Sequence, residues 1–377
     1  MSMQVSYKKQ FVLGIFLIII FLGFIEISIR IIELNNYSNN NEYHEIFREF
    51  NKETTDRILS NGNFGYHYDK ILLNEPNQKL NTININDFGF RGKEISLEKN
   101  SDSVRIFVIG GSTILSVLTS SDNTTIPGFL QQRFDEFDNT NKVEVINAGI
   151  SNADSRSEIY LIKNYLLKFN PDLIIVYDGW NDAQHDWGWD DEVEDQNTLA
   201  NLKNSFEIGF RSIYQTKIMP YYHTISFIEQ IKRNSFSENS DNKDTENTGL
   251  DDTIIPIKTQ KWIERWSSIC EIGNERGFKT IISVQPVLGT GEKILTPEEL
   301  NRLNENIKNQ EIVIELLEEY SKALKILEKE CYMTIDLRNS FDGISEPIYY
   351  DLGHMSDFGN KIIAEKIFEK IKTLPNQ

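Results

Sequence analysis

The sequence has few basic residues for its acidic content, and this excludes one class of partner. Its 377 residues contain 39 Lys and Arg against 57 Asp and Glu, which gives a formal net charge of -18. No Lys/Arg-rich stripe is present that could neutralise a phosphate backbone. We therefore expect no nucleic-acid partner and no peripheral binding to an anionic lipid surface. The length is sufficient for one α/β domain with an anchor and insertions.

Cysteine and histidine are also scarce. The two cysteines, Cys270 and Cys331, lack the spacing of a zinc site, and the five histidines include no HExxH pair. We therefore predict no metal and no other cofactor. Cys270 lies in a segment with the pattern of an amphipathic helix, which favours a buried free thiol. A disulfide between the two is the alternative if the domain lies outside the cytoplasm.

One long apolar run is present, at residues 11–25, and two lysines precede it. A membrane span needs about 20 residues, and the run reaches that length at residue 32 if Glu26 and Arg30 pair or reach the interface. No small-residue cleavage site follows, so a cleaved signal peptide is the less favoured interpretation. We predict a single-pass signal-anchor over residues 11–32, with residues 1–10 in the cytoplasm and the rest of the chain outside it.

The remainder of the chain divides by its pattern into a stalk and one domain. Residues 33–84 begin as a polar, Asn-rich stretch and are interpreted as a stalk and lead-in. Between residues 85 and 374, Val/Ile-rich runs alternate with helical stretches, which is typical of a parallel sheet covered on both faces. The alternation is interrupted at residues 184–260, interpreted as an insertion, and it resumes with a helix from Trp262. Within the insertion, residues 234–252 are predicted to be disordered because they contain few apolar side chains.

Ser112 is the first candidate for chemistry, because it directly follows the buried strand VRIFVIGG. Ligands of open parallel sheets bind at the carboxyl ends of the strands, where helix N-termini present N–H groups. A helix N-cap serine is one alternative. A dinucleotide-binding turn is another, but Gly110-Gly111-Ser112-Thr113-Ile114-Leu115 supplies no third glycine. The G-x-S-x-G elbow is not met either, because Ile114 occupies its last position.

Three further residues, at the ends of later elements, complete a candidate site. Asp351 and His354 lie in a D-x-x-H loop before the last predicted helix, for which Ser356 is a plausible N-cap. A serine hydroxyl needs a base to take its proton and a carboxylate to orient that base. Such pairs also occur in loops by chance. Asn181, in GWND after the strand PDLIIVYDG, is either an oxyanion donor or a turn residue bonded to its own backbone.

Together the blocks GGST, GWND and DLGH resemble those of the SGNH (GDSL-like) hydrolase superfamily over roughly residues 85–372. The lead-in NDFGFRGKEI and the phrase QPVLGTGEKILT resemble pieces of its membrane-anchored members. The resemblance implies a three-layer α/β/α, flavodoxin-like parallel sheet. It also implies that Ser112 is the nucleophile, that Asp351 and His354 complete the triad, and that the Ser112 backbone and the Asn181 side chain hold the oxyanion.

The sequence departs from that pattern at two positions. The Asp that usually precedes the nucleophile is Gly111 here, which leaves the triad intact. In INAGISNADS, alignment on Asn147 places Asn152 where the superfamily has a glycine whose backbone N–H binds the oxyanion. A backbone donor survives any side chain, and Asn tolerates positive φ better than most residues. We therefore predict Asn152 as a third oxyanion donor.

The substrate is indicated less directly. Trp180 and Trp187 follow the strand PDLIIVYDG and lie among acidic residues, and aromatic faces near a cleft suit sugar rings. The alternative is that these tryptophans pack the insertion onto the domain. We predict a serine ester hydrolase acting on an ester, with an acylated surface glycan as the candidate. The alternatives are a glycan O-acyltransferase with the same triad, a lipid esterase or thioesterase, and a degenerate, non-enzymatic glycan-binding or assembly module. The sequence makes no prediction of oligomeric state.

Overall fold

The computed structural model describes residues 50–59, 66–69, 71–137, 142–184 and 254–374, with scattered helical positions between 7 and 21. The chain divides into two compact units, one of residues 1–45 and 206–248 and the other of residues 46–205 and 249–377. All elements named below belong to the second unit. Most of the predicted insertion, including Trp187 and residues 234–252, lies outside the described residues, as do residues 33–49 of the predicted stalk.

The described residues of this unit form seven strands and nine α-helices, numbered in chain order. They are α1 (Lys52–Leu59), β1 (Tyr66–Asp69), β2 (Ile71–Asn74), β3 (Ser103–Gly110), α2 (Ser112–Leu115), α3 (Ile126–Phe137), β4 (Lys142–Asn147), α4 (Ser155–Asn164), β5 (Leu173–Asp178), α5 (Trp180–Gln184), α6 (Ile254–Arg276), β6 (Lys279–Val284), α7 (Pro297–Glu305), α8 (Ile307–Leu327), β7 (Met333–Asp336) and α9 (Asp357–Ile371).

Strands β3 to β7 form one parallel sheet, and β1 pairs with β2 in a separate antiparallel hairpin. The strand order of the large sheet is β4-β3-β5-β6-β7. Counted from the first parallel strand this is 2-1-3-4-5, the order of flavodoxin-like folds. The predicted parallel sheet is confirmed. In this order β3 and β5 are neighbours near the middle of the sheet, so the residues that follow them meet at one edge.

Helices cover both faces of this sheet, because its strands are apolar on both sides. In β3, Phe107 and Ile109 join a core packed by α4, α6 and α8, whereas Ile106 and Val108 join a second core packed by α3 and α9. Each fully buried side chain of this kind contributes about 1.5–3 kcal/mol relative to an exposed one. The result is the three-layer arrangement that the alternating sequence pattern predicts.

Helix α6 begins earlier than its apolar pattern suggests. Its first residue is Ile254 rather than Trp262, so residues 254–260, which were assigned to the insertion, form its first turns. Lys258 is fully buried there, and its Nζ donates to the Ala183 carbonyl at 2.9 Å. A lysine in an apolar face breaks the expected pattern, and the sequence contains no sign of its buried partner.

Cys270 in α6 and Cys331 before β7 form a disulfide, which corrects the favoured expectation of a buried free thiol. The sheet brings the two Cα atoms to 4.8 Å, within the range that a disulfide can bridge, although 61 residues separate them in sequence. The bond constrains the unfolded chain, and a loop of this length corresponds to about 4 kcal/mol of stabilisation.

Within the described part of the chain, no helix combines the length and apolar character needed to cross a bilayer. The predicted anchor at residues 11–32 is described only at scattered positions, so it stays a prediction.

Candidate active site

Ser112 is the first residue of α2 and follows the glycine pair at the carboxyl end of β3. A Cβ atom at Gly110 would lie 2.5 Å from the Tyr177 carbonyl oxygen, and one at Gly111 would lie 2.3 Å from Nδ2 of Asn181. A larger residue at Gly110 would therefore displace the end of β5, and one at Gly111 would displace the Asn181 side chain. The two glycines allow the serine turn and the Asn181 turn to pack directly against each other.

The D-x-x-H loop lies against Ser112. Nε2 of His354 is 2.8 Å from Oγ of Ser112, and Nδ1 of His354 is 2.7 Å from Oδ2 of Asp351. Oδ1 of Asp351 accepts the backbone N–H groups of Gly353, at 2.9 Å, and of His354, at 2.7 Å. One carboxylate oxygen thus shapes the loop while the other accepts from Nδ1–H. That tautomer leaves a lone pair on Nε2 facing the serine hydroxyl.

The loop also determines the charge of its carboxylate. Partial burial raises the pKa of Asp351, but the neighbouring His354 and the hydrogen bonds from His354 and Gly353 lower it by more. The net effect places the pKa of Asp351 below its usual value. The carboxylate is therefore ionised at neutral pH, as it must be to stabilise an imidazolium.

Trp180, predicted as a substrate contact, lies beneath the imidazole. It is 8% exposed, and its ring meets that of His354 edge to face, with centroids 5.3 Å apart. A Cβ atom at Gly353 would lie 2.1 Å from Cζ3 of Trp180, so the indole packs on the loop backbone. This leaves too little ring surface to stack a sugar. Trp180 supports the His354 loop, and Trp187 lies outside the described residues.

Glu299 holds the beginning of the same loop, a role that the sequence analysis missed. Its Oε1 accepts the backbone N–H groups of Ile348, at 2.9 Å, and Tyr349, at 3.1 Å. Its Oε2 accepts from the Thr296 backbone and from Lys293, so the carboxylate is fully paired although it is fully buried. The T-P-E-E capping box of α7 is visible in the sequence. Its contact with a loop 49 residues away is not.

Asp357 and Asn360, both in α9, connect the His354 loop to the segment that follows Ser112. Asp357 accepts hydrogen bonds from the Ser120 backbone N–H, at 3.1 Å, and from the Ser120 hydroxyl. Nδ2 of Asn360 donates to the Thr124 carbonyl at 3.1 Å. Ser356 caps α9, as predicted, by accepting from the Gly359 N–H. The base and the nucleophile are therefore fixed to each other through α9.

Asn181 lies beside Ser112 at the start of α5. Its Nδ2 donates to the Ala153 carbonyl at 2.6 Å, which uses one of its two amide hydrogens. The next residue, Asp182, accepts the backbone N–H of Ser155 at 2.8 Å and also its hydroxyl. These bonds tie the Asn181 turn to the loop after β4. The second amide hydrogen of Asn181 is the candidate oxyanion donor.

Asn152 lies in that same loop with φ = 63°. This is the left-handed conformation, which Asn adopts more readily than most residues other than Gly. Its side chain is exposed. Its role as a backbone donor stays a prediction.

Buried acids lie behind Asn181. Burial, followed by repulsion from Asp178 and Asp182, raises the pKa of Glu158 well above its usual value. Burial and then the Asp178 charge likewise raise the pKa of Asp182, whose carboxylate lies 3.6 Å from Arg265. Among the described residues, neither these acids nor any other group provides three ligands arranged for a metal ion.

Comparison with known proteins yields structural similarity only. No family model and no curated protein matches the chain. One similar solved structure is an acetyl xylan esterase, with 15% identity, coverage of 71% of this chain and 100% of that chain, and a TM-score of 0.40. A second is a putative lipolytic protein of the G-D-S-L family from Desulfitobacterium hafniense DCB-2, with 10% identity, coverage of 71% of this chain and 99% of that chain, and a TM-score of 0.39. A third is an acetylxylan esterase from Geobacillus stearothermophilus, with 11% identity, coverage of 72% of this chain and 96% of that chain, and a TM-score of 0.39. At these identities and TM-scores the similarity carries no weight for function.

Proposed function

We propose that this chain is a serine ester hydrolase of the SGNH type. Oγ of Ser112 attacks the ester carbonyl while His354 takes its proton, and His354 then passes that proton to the departing alcohol. Water then attacks the acyl-enzyme, again with His354 as base, and the acid is released. The carrying observation is the continuous chain of contacts from Ser112 Oγ to His354, at 2.8 Å, and on to Asp351, at 2.7 Å.

The oxyanion in this proposal is held by the backbone N–H groups of Ser112 and Asn152 and by the side chain of Asn181. Support comes from the position of Ser112 at the start of α2 and from the amide of Asn181 next to Gly111. One donor of this kind typically stabilises the transition state by about 2.7–4 kcal/mol. General-base catalysis adds about 10²–10⁴ in rate.

Hydrolysis of p-nitrophenyl acetate tests this proposal. Ser112→Ala removes the nucleophile and should abolish turnover. Ser268→Ala is the matched control, because it deletes the same atom from a partly buried serine of α6 that lies outside the candidate site and whose hydroxyl donates to the Arg265 carbonyl at 2.8 Å. Both variants should keep the far-UV circular dichroism spectrum of the wild type. Unchanged turnover in Ser112→Ala would refute the assignment.

We further propose that residues 11–32 anchor the protein in a membrane and that the catalytic domain lies outside the cytoplasm. The Cys270–Cys331 disulfide supports this location, because structural disulfides persist in oxidising compartments. Exposed apolar side chains in the proposed anchor give further support, because a contiguous apolar surface of this kind is unfavourable in water. Five helical side chains there expose half or more of their surface: Leu13, Phe16, Leu17, Ile20 and Phe21. Alkaline extraction of membranes should leave the full chain in the pellet and release a chain that begins at residue 46.

The proposed substrate is an O-acetylated surface glycan. The proposed location of the catalytic domain outside the cytoplasm supports this substrate, because surface glycans are found there. Acetate release from an O-acetylated polysaccharide, compared with the same polymer after chemical deacetylation, tests it. An unacetylated glycan added as acceptor distinguishes hydrolysis from O-acyl transfer, because transfer leaves acetate on the acceptor. A preference for long acyl chains would indicate a lipid esterase or thioesterase, and absence of any turnover would favour a binding module.

A further inference from the structure

The helix that carries Ser112 is too short to define its own orientation. Residues 112–115 form a single turn, which ends at Ser116 in a left-handed conformation with φ = 59°. The backbone N–H of Ser116 donates to the Ser112 carbonyl at 2.7 Å, and its hydroxyl donates to the Thr113 carbonyl at 2.7 Å. A single hydrogen-bonded turn is unstable by itself. The direction of the Ser112 hydroxyl therefore depends on contacts from outside the helix.

Arg91, in the segment NDFGFRGKEI, makes charged contacts of this kind at the end of the helix. Its Nη1 donates to the carbonyls of Leu115, at 2.7 Å, and Ser116, at 2.5 Å, and its Nη2 donates to the Thr82 carbonyl at 2.7 Å. The Arg91 side chain is fully buried. Its backbone N–H also donates to the Asn147 carbonyl at 3.1 Å. One residue thus joins the lead-in, the end of β4 and the end of the nucleophile helix.

Asp122 pairs with this guanidinium and is itself held in place by Asn84. Its Oδ1 lies 2.8 Å from Nε of Arg91 and accepts the Asn84 backbone N–H at 3.1 Å, while Oδ2 accepts the Asn84 side chain at 2.7 Å. The guanidinium therefore donates from three nitrogens to four acceptors: one Asp122 oxygen and the carbonyls of Leu115, Ser116 and Thr82. A lysine ammonium is a point charge without this fork, so it cannot satisfy the same acceptors.

We propose that Arg91, held by Asp122, is a positioning residue for the nucleophile. By fixing the carbonyl end of α2, it sets the direction of the Ser112 hydroxyl relative to His354, 2.8 Å away, while Asp357 ties the His354 loop to Ser120 in the segment after α2. This inference rests on the proposed function. A misplacement of about 1 Å at a reacting group costs about 10²-fold in rate. Loss of the fork should therefore lower kcat much more than it changes KM.

The test compares Arg91→Lys with Arg105→Lys. Arg105 is a matched control, because it is also fully buried, pairs with a carboxylate (Glu144, 2.8 Å) and donates to two backbone carbonyls, those of Leu97 and Phe169. It lies near the start of β3, whereas Ser112 follows its end. Both variants should lose thermal stability. Only Arg91→Lys should lose about 10²-fold in kcat for p-nitrophenyl acetate, with KM within about threefold.

The rates are measured below the unfolding transition of every variant, together with the rate of labelling by a fluorophosphonate. If Arg91→Lys does not fold, Asp122→Asn provides the same test, since it removes the pairing charge at constant size; about a tenfold loss of kcat is expected. Wild-type kcat in either folded variant would overturn the inference, and so would equal losses in Arg91→Lys and Arg105→Lys. Absence of Ser112-dependent labelling in the wild type would instead refute the proposed function.

Discussion

Replacement of Asp351 by Asn distinguishes a catalytic carboxylate from a structural one. Oδ1 of Asp351 accepts two backbone N–H groups, and Oδ2 accepts Nδ1–H of His354. An Asn side chain has one acceptor and one donor, so it can satisfy only one of these sets. If the amide NH₂ faced the backbone, two N–H groups would lose their acceptor at about 1–3 kcal/mol each. We therefore expect the oxygen to stay with the backbone and the NH₂ to face His354.

This orientation stabilises the wrong imidazole tautomer. Nδ1 becomes the acceptor and the proton moves to Nε2, which can then no longer take the proton of Ser112. We expect a loss of about 10⁴-fold in kcat, as for the same change in other serine-histidine-aspartate enzymes. That loss is about 5 kcal/mol in the barrier. The fold should be retained, because the two backbone hydrogen bonds remain.

The assay is kcat for p-nitrophenyl acetate, with thermal unfolding as the measure of fold. Asp172→Asn is the matched control, because Asp172 also accepts a backbone N–H, that of Arg105 at 2.7 Å, and a charged side chain, that of Lys99 at 2.5 Å. Asp172→Asn should keep wild-type kcat. A folded Asp351→Asn variant that loses less than about tenfold in kcat would refute the reasoning.

The pH dependence of stability gives the same substitution a second readout. Because the folded state lowers the pKa of Asp351, this group stabilises the wild type above its unfolded pKa. That contribution is lost as the pH falls through the lower, folded value. Asp351→Asn lacks it, so the stability difference between the two proteins should shrink on acidification. A difference that is constant from neutral to acid pH would contradict the lowered pKa.

Three further predictions concern separate parts of the structure. Asn181→Ala should lower kcat by about 10²–10³ with little change in KM, because it removes one oxyanion donor; wild-type kcat would exclude that role. Gly353→Ala should lower kcat in a folded protein, since the added Cβ would lie 2.1 Å from the Trp180 ring and displace the His354 loop. Cys270→Ser with Cys331→Ser should lower the free energy of unfolding by about 4 kcal/mol in urea titrations, and an unchanged midpoint would contradict the disulfide.

The layered fold was predictable from sequence because its signal is local. Strands such as VRIFVIGG and LIIVYD are apolar on both faces, which is typical of a covered parallel sheet. The buried face of α9, with Ile363, Ile367 and Ile371, repeats at helical spacing. Most contacts between distant segments were not predictable. The pairing of Cys270 with Cys331 depends on the sheet order, and no local pattern records it.

The candidate site divides in the same way. Ser112 and the D-x-x-H loop were predicted together because each follows a strand whose carboxyl end faces the same edge of the sheet. The contacts that hold these two segments were not predicted. Glu299 and Arg91 bond to backbone atoms of segments distant in sequence, and no sequence motif indicates such contacts. For Trp180 the sequence left both a sugar contact and a packing role open, because an aromatic residue after a strand end has the same sequence signature whether it is buried or exposed.

The central claim is that His354 activates the hydroxyl of Ser112. The most direct test is to label the full chain with a fluorophosphonate and to locate the adduct by peptide mass spectrometry, in the wild type and in His354→Ala. The account predicts one adduct, on Ser112, that forms at least about 10²-fold more slowly in His354→Ala. An adduct on another residue, or equal labelling rates in the two proteins, would contradict it.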